Sequence, residues 1–189
     1  MAVTLNDDQI ENLLDIWNQI VSQREDIGDI YFMYQTPVAK FKNARNSYAQ
    51  NLVRESMLLL YDSTFFGSAK LGFILSNEKL FYKNSDETPT GCIDVEKILD
   101  MTITESKELS VESVCSIRTS IGTEQIYCVS PVHGNFYILK AFVDYLKGSG
   151  NLTKANTDQP NAAKSGICKA CNAHNPIHSG TCEYCESLM

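Results

Sequence analysis

Long apolar runs are missing from this sequence of 189 residues. A helix that crosses a membrane needs about 20 predominantly apolar residues, and no such stretch occurs, so no transmembrane helix is predicted. Residues 1–8 lack a positive start and an apolar segment, so we predict no secretory signal and expect a cytoplasmic location. Hydrophobic residues make up 43% of the chain and charged residues 21%, which is typical of a globular protein.

Basic residues are also scarce. The chain has 16 Lys and Arg against 23 Asp and Glu, which gives a net charge of −7. None of the segments 1–55, 56–147 and 148–189 is net positive. Nucleic acids and anionic membranes both attract proteins through clustered basic side chains. Nucleic acid is therefore a disfavoured partner, and lipid is possible but disfavoured by charge.

Residues suited to acid–base catalysis are few. Of three histidines only His133 lies outside the C-terminal tail, and neither a nucleophile nor a carboxylate is near it in sequence. The segment 67–70 lacks the spacing of a phosphate-binding loop. Cys92, Cys115 and Cys128 lie in strand-like runs and are expected to be small core residues. We predict that the protein is not an enzyme.

Seven short runs between residues 57 and 129 are rich in β-branched or aromatic residues and have polar or glycine boundaries. Such runs predict strands, and they cover residues 58–61, 71–75, 79–82, 92–95, 101–104, 111–117 and 125–129. Apolar residues then recur at helical spacing, namely Phe136, Leu139, Phe142, Val143 and Leu146. This pattern predicts a helix that Asn135 caps and that ends before Gly148.

Two segments, 72–82 and 93–98, have the order of an apolar strand, a polar turn, a basic-Leu-apolar-aromatic strand and an Ile-rich strand. Together with seven strands and one helix, this order resembles the pleckstrin-homology-like superfold in its bacterial and GRAM-like versions. Asp94 stands where that pattern often has Pro. Residues 65–70 are similar to the first-hairpin sequence of some uncharacterised bacterial members. The resemblance covers about half of the chain.

The resemblance implies an α+β fold in which a seven-stranded antiparallel barrel is capped by a C-terminal helix. It does not imply one function, because this superfold contains lipid binders, peptide binders and scaffolds. By analogy with lipid-binding relatives, Lys70, Lys79 and Lys83 are the candidate lipid-binding residues. Relatives of that kind usually have a basic first hairpin loop, whereas here only Lys70 lies in it.

Residues 1–55 are predicted to form a helical segment. Thr4 or Asn6 can cap a first helix, and Thr36-Pro37 can start a second one. The apolar stripes of these helices need partners. We expect both to pack on the barrel or on each other; the alternative is that the first helix is a docking or dimerisation element. The predicted PH-like domain covers residues 56–148, a flexible linker 149–165, and a zinc ribbon 166–189.

The tail contains two C-x-x-C pairs separated by ten residues: Cys168, Cys171, Cys182 and Cys185. This spacing resembles a zinc ribbon, in which two knuckles supply the tetrahedral set of four sulfurs that zinc prefers. We predict one structural zinc ion per chain, with no open position for catalysis. Disulfides are disfavoured in a cytosolic protein, and a redox site is disfavoured without a βαβ context. His174 or His178 remains an alternative ligand.

These features predict a non-catalytic adaptor that contacts proteins through a PH-like barrel and a tethered zinc ribbon. Two weak contacts on one chain strengthen each other through effective concentration. Two alternatives remain open: membrane recruitment through anionic lipid head groups, and contact of the ribbon with nucleic acid.

Overall fold

The structure is a computed structural model that describes residues 5–105, 113–128, 132–155, 165–167 and 174–176, with backbone alone from residue 149 onward. The chain divides into two compact units, Met1–Ser149 and Gly150–Met189. In the first part of the chain the structure shows three helices and two antiparallel sheets, an α+β architecture. A separate pair of short antiparallel strands lies in the second unit.

The helices are α1 (Asp7–Gln23), α2 (Val38–Ser47) and α3 (Gly134–Ala155). The larger sheet contains, in this order, β1 (Ile30–Phe32), β2 (Met57–Asp62), β3 (Gly72–Ser76), β4 (Lys79–Lys83) and β5 (Gly91–Asp94). The smaller sheet contains β6 (Ile98–Thr104), β7 (Ser113–Thr119) and β8 (Thr123–Cys128). Short 3-10 turns cover Met33–Gln35, Arg54–Ser56 and Val95–Lys97. The second unit contains β9 (Ser165–Ile167) and β10 (His174–Pro176).

Strands β2 and β3 of the larger sheet are covered on both faces. One face, with Leu59 and Phe73, belongs to the main core, together with α3 and the smaller sheet. The other face, with Leu60 and Ile74, packs against the apolar side of α2. All six residues of β2 are buried as a result. A strand buried on both faces has no alternation between apolar and polar residues, and the Met-Leu-Leu-Leu-Tyr run of β2 has none.

Helix α1 begins with a capping box. The side chain of Asn6 accepts a hydrogen bond from the backbone N–H of Gln9, and the side chain of Gln9 accepts one from the backbone N–H of Asn6. Leu13 is fully buried in the main core. Trp17 stacks on Phe32 with ring centroids 5.7 Å apart. Helices α1 and α2 therefore both pack against the larger sheet, as expected from their apolar stripes.

All seven predicted strand runs correspond to strands, β2 to β8, with shifted ends. The prediction of a single seven-stranded barrel is not matched. The described strands form sheets of five and three, and no described strand of one sheet pairs with the other. A 3-10 turn at Val95–Lys97 ends β5 and leads the chain into the second sheet. The fifth strand of the larger sheet is β1, which lies within the segment 1–55 that was predicted to be helical.

The two ends of the last helix also differ from prediction. Helix α3 begins at Gly134, and Asn135 lies inside it rather than capping it. The Asn135 amide instead accepts a hydrogen bond from the Gly28 N–H at 3.3 Å and donates to the Gly28 carbonyl at 2.7 Å. At the other end α3 continues through Gly148 to Ala155, so the predicted linker 149–165 begins as helix. Its residues 156–164 lie outside the described part.

Two of the three cysteines in the sheet domain are core residues, as predicted. Cys115 and Cys128 are buried, and burial raises the pKa of the Cys115 thiol to about 12. Cys92 is exposed, so that prediction is wrong for this residue. It lies on the edge strand β5, whose register turns Ile93 into the core instead.

Among the described residues, no helix is both long and apolar enough to cross a membrane.

Phe142 of α3 offers a test of this packing. Its ring is fully buried and meets Phe32 edge-on at 5.7 Å. We expect Phe142→Ala to lower the free energy of unfolding by about 3–5 kcal/mol, because it leaves a cavity in the main core. Urea unfolding followed by the fluorescence of Trp17, the single tryptophan, measures it. The control is Ile121→Ala, at a side chain that is 93% exposed and should be nearly neutral. Equal losses in the two variants would contradict the packing described here.

Candidate functional site

The loop between β2 and β3, residues 63–71, is organised by Asp62, the last residue of β2. The Asp62 side chain is fully buried. One of its carboxylate oxygens accepts hydrogen bonds from the Thr64 amide, at 2.9 Å, and from the Thr64 hydroxyl. The other oxygen accepts from the Lys40 ammonium of α2. The Thr64 hydroxyl oxygen in turn accepts from the amides of Ser68, at 2.7 Å, and Ala69, at 3.2 Å.

Helix α2 also holds this hairpin loop from the side. The Asn43 amide donates to the Ser68 carbonyl at 2.9 Å, and the Ser47 hydroxyl donates to the Lys70 carbonyl at 2.8 Å. Two loop residues, Gly67 and Ala69, have φ values of 67° and 55°. These left-handed conformations are uncommon for a residue with a side chain, and the hydrogen bonds from α2 and Thr64 hold the loop in them. The loop conformation therefore depends on polar contacts to α2.

The hairpin loop presents two aromatic side chains that take no part in this network. Phe65 is 95% exposed and Phe66 is 92% exposed. Their rings contact each other edge-on, with centroids 5.1 Å apart. We call these two residues the phenyl pair. Adjacent and almost fully exposed aromatic rings mark a contact surface far more often than scattered single apolar residues do.

Asp62 and Lys40, at the base of the loop, are both stabilised in their charged forms. Burial alone raises the pKa of Asp62, but hydrogen bonds from Lys40 and Thr64 outweigh burial, and the pKa is lowered overall. Burial likewise lowers the pKa of Lys40, but the hydrogen bonds and charges of Asp62 and Tyr31 together raise it by more. The buried carboxylate thus remains ionised at neutral pH and keeps accepting the hydrogen bonds that shape the loop.

A second polar cluster joins the end of α1 to the start of α3. Arg24 makes two hydrogen bonds of 2.8 Å to the Asp26 carboxylate, and its guanidinium lies 4.1 Å from the centre of the Tyr137 ring. The His133 Nε2 lies 2.9 Å from Asp26 and 3.6 Å from Glu105. Glu105 also accepts a hydrogen bond of 2.6 Å from the Tyr137 hydroxyl. Every ionisable group of this cluster is paired with another.

Hydrogen bonds and ion pairs hold this cluster together. Burial raises the pKa of Asp26, but the hydrogen bonds that its carboxylate accepts and the charges of Arg24 and His133 together lower it by more. The His133 Nδ1 is buried and has no hydrogen-bond partner among the described residues. An open groove of about 420 Å³ lies beside the cluster, between α1 and α3, with Ile20, Ala141 and Lys140 in its wall. Lys140 is itself paired with Asp144 at 3.2 Å.

Sequence reasoning missed both sites. It found no carboxylate near His133, because Asp26 and Glu105 reach it only through the tertiary fold. It treated residues 65–70 as part of a family pattern and did not identify Phe65 and Phe66 as exposed. The Phe-Phe step between turn-forming residues was the available signal.

The three candidate lipid-binding lysines do not form one cluster. Lys79 and Lys83 lie at opposite ends of β4, about 13 Å apart at the rise of an extended strand. Lys79 is 3.0 Å from the Asp94 carboxylate, and Lys83 is 3.5 Å from that of Asp86. Lys70 is exposed, next to the hairpin loop's return into β3.

The predicted metal ligands Cys168, Cys171, Cys182 and Cys185 lie outside the described residues, as does His178. The described backbone in this unit is an antiparallel pair, with Ile167 opposite His174 and Ser165 opposite Pro176. Residues 168–173, which include the first C-x-x-C, thus connect two paired strand ends. In the part of the chain with described side chains, no group of three His, Cys, Asp or Glu residues is placed to hold a metal ion.

Comparison with known proteins adds no family. No protein-family model matches this chain. No curated protein matches it either.

The Lys40–Asp62 pair gives a prediction for the loop base. We expect Lys40→Met to lower the free energy of unfolding by about 3 kcal/mol at neutral pH, because it leaves a buried carboxylate without its cation. Burial then raises the pKa of Asp62 above its unfolded value. The loss should therefore shrink as the pH falls from neutral toward about pH 4, where protonation relieves the buried charge.

Urea unfolding at several pH values measures this effect. In the unchanged protein the pKa of Asp62 is lowered, so stability depends on pH in the opposite direction. The stabilisation by the ionised carboxylate is present above the ordinary pKa of aspartate and is lost as the pH falls through the folded value. Lys97→Met is the matched control, because Lys97 also pairs with an aspartate, Asp94, but at an exposed position. We expect Lys97→Met to change the free energy of unfolding only a little. A loss in Lys40→Met that does not vary with pH would contradict a buried, ionised Asp62.

Proposed function

We propose that this protein is a non-catalytic adaptor that contacts protein partners through a PH-like sheet domain and a separate structural zinc ribbon. The observation that carries the proposal is the division of the chain after Ser149 into a helix-and-sheet unit and a small unit that contains all four tail cysteines. Two units on one chain can bind two surfaces, or one surface more tightly, through effective concentration.

The strand order supports a PH-like first unit. Strands β2 to β5 form a four-stranded antiparallel meander, β6 to β8 form a three-stranded one, and one helix follows. The resemblance implies a single barrel of seven strands, whereas these seven strands lie in two sheets, with β1 added beside β2. In this proposal the two sheets and α3 are a scaffold, and recognition resides on exposed loops and edges.

The β9–β10 pair supports the zinc ribbon. Strands β9 and β10 are antiparallel, with Ile167 opposite His174, and they flank the first C-x-x-C in sequence. In our proposal Cys168, Cys171, Cys182 and Cys185 hold one zinc ion through four thiolates. The ion supplies the folding free energy that so small a unit cannot obtain from apolar burial, on the order of 10 kcal/mol in zinc peptides.

Neither alternative gains comparable support. Head-group recruitment needs converging cations, and Lys79 and Lys83 are each close to a carboxylate. Contact of the ribbon with nucleic acid needs net positive charge, and residues 148–189 have three basic and three acidic side chains.

The test uses Cys182→Ser/Cys185→Ser in the full chain. Elemental analysis should find one zinc ion per unchanged chain and a loss of tightly bound zinc in the variant, because two of the four thiolates are gone. Trp17 fluorescence should show the same urea midpoint for the first unit in both proteins. Quantitative affinity capture from a cell extract should then recover a set of proteins with the unchanged chain that the variant does not retain.

Cys92→Ser is the control, because Cys92 is an exposed cysteine of the first unit and is not a proposed ligand. It should keep both the zinc and the captured proteins. Zinc-free protein with a folded tail would contradict the ribbon. Identical captured proteins from the zinc-binding and zinc-free chains would contradict the two-contact adaptor while leaving the metal site intact.

A further inference from the structure

The phenyl pair is an exposed apolar feature of the described surface that neither the fold nor the proposed adaptor function uses. Phe65 and Phe66 are 95% and 92% exposed, and the ring-ring contact between them is the only aromatic contact either makes among the described residues. Each ring can bury about 150–250 Å² when it is covered. Covering both rings therefore contributes favourable free energy to the binding of an apolar surface.

The exposure of the rings follows from a loop that is held in place. The network of Asp62, Thr64 and Lys40, together with the bonds from Asn43 and Ser47, fixes the loop backbone without using either ring. The loop therefore does not need to become ordered on binding, which removes an entropic cost that flexible loops incur.

The loop that carries the phenyl pair has one exposed basic side chain and no acidic one. Residues 63–71 contain no acidic side chain, and the Asp62 carboxylate at the base is buried and paired with Lys40. The only cation of the loop is Lys70, which is exposed. A lysine at the base of an apolar tip can extend its ammonium to the phosphate level of a lipid surface. Nothing in the loop repels a head-group layer.

The rest of the chain sets the kind of lipid surface. The net charge is −7, and Lys79 and Lys83 are each close to a carboxylate, that of Asp94 and that of Asp86. Attraction to anionic lipid is therefore weak, and the apolar contact dominates. We propose that the phenyl pair inserts into the interfacial layer of a zwitterionic phospholipid bilayer and docks the sheet domain there reversibly.

A bilayer suits this tip better than a protein pocket does. The two rings project next to each other at 5.1 Å and nearly perpendicular, so a pocket must match two crossed rings, whereas lipid chains rearrange around any convex apolar shape. Aromatic and leucine side chains are the residues that peripheral proteins bury at the head-group boundary. This docking is independent of the adaptor proposal, because it involves neither the cysteines nor a protein partner.

The experiment measures flotation of the full chain with vesicles of pure phosphatidylcholine and with vesicles that contain an equal amount of phosphatidylserine. We expect weak, salt-insensitive partitioning into pure phosphatidylcholine and no gain from phosphatidylserine. The double variant Phe65→Ala/Phe66→Ala should lose at least about tenfold in partition coefficient, because burial of even one phenyl ring is worth more than a tenfold change in an equilibrium constant.

Two further variants separate insertion from other effects. Tyr34→Ala/Ile121→Ala removes exposed apolar side chains elsewhere, at 74% and 93% exposure, and should partition like the unchanged chain. Phe66→Trp should show a blue-shifted emission and quenching by brominated lipid tails, beyond the signal of Trp17. Urea unfolding should show that the double alanine variant keeps the stability of the unchanged chain, as expected for exposed positions.

The proposal is overturned if the unchanged chain does not float with phosphatidylcholine, which would assign the phenyl pair to a protein pocket instead. It is also overturned if the double alanine variant floats equally well, or if the Tyr34→Ala/Ile121→Ala control loses as much. Binding that requires phosphatidylserine and disappears with salt would assign membrane contact to the lysines, against this proposal.

Discussion

Burial of the β2–β3 hairpin on both faces is the constraint on which the rest of this structure depends. The main core covers one face and α2 covers the other, so β2 has no residue that faces water. Packing on both faces holds this hairpin between the main core and α2. The turn at its end is consequently presented at a fixed position, and α2 is close enough to bind that turn through Lys40, Asn43 and Ser47.

The polar network at the end of the hairpin shapes the exposed loop. Asp62 is a buried charge inside the strand, and such a group is tolerated only when it is paired and hydrogen-bonded. Its partners are the Lys40 ammonium and the two donors of Thr64, and these shape the loop. The rings of Phe65 and Phe66 are left without a role in the core. The same constraint that stabilises the fold therefore creates its most exposed apolar feature.

Much of the strand pattern could be predicted from the sequence, because each run from β2 to β8 is short, rich in β-branched or aromatic residues, and flanked by turn formers. The start of α1 was also predictable, since Asn6 and Gln9 form a local capping box. Strand β1 was missed because its three residues, Ile30–Phe32, form a strand only through pairing with β2. The predicted end of α3 before Gly148 was wrong, because a glycine inside a helix is unfavourable but tolerated.

The sites could not be predicted in the same way, because they depend on contacts between distant parts of the chain. The Asp26–His133 contact joins the end of α1 to the start of α3, and nothing local to either residue indicates it. The exposure of the phenyl pair depends on Lys40 in a preceding helix. Only the four tail cysteines have a spacing that predicts a site by itself, and that site stays a prediction.

The central claim is that polar bonds from Asp62 and Thr64 hold the hairpin loop and so present Phe65 and Phe66 to the outside. Amide hydrogen exchange at Ser68 and Ala69 tests it most directly, because both amides donate to the Thr64 hydroxyl. The account predicts that both exchange slowly in the full chain and much faster in Thr64→Val, while the amides of β3 stay protected. Exchange at the rate of an unstructured peptide in the unchanged chain, or no change in Thr64→Val, would contradict it.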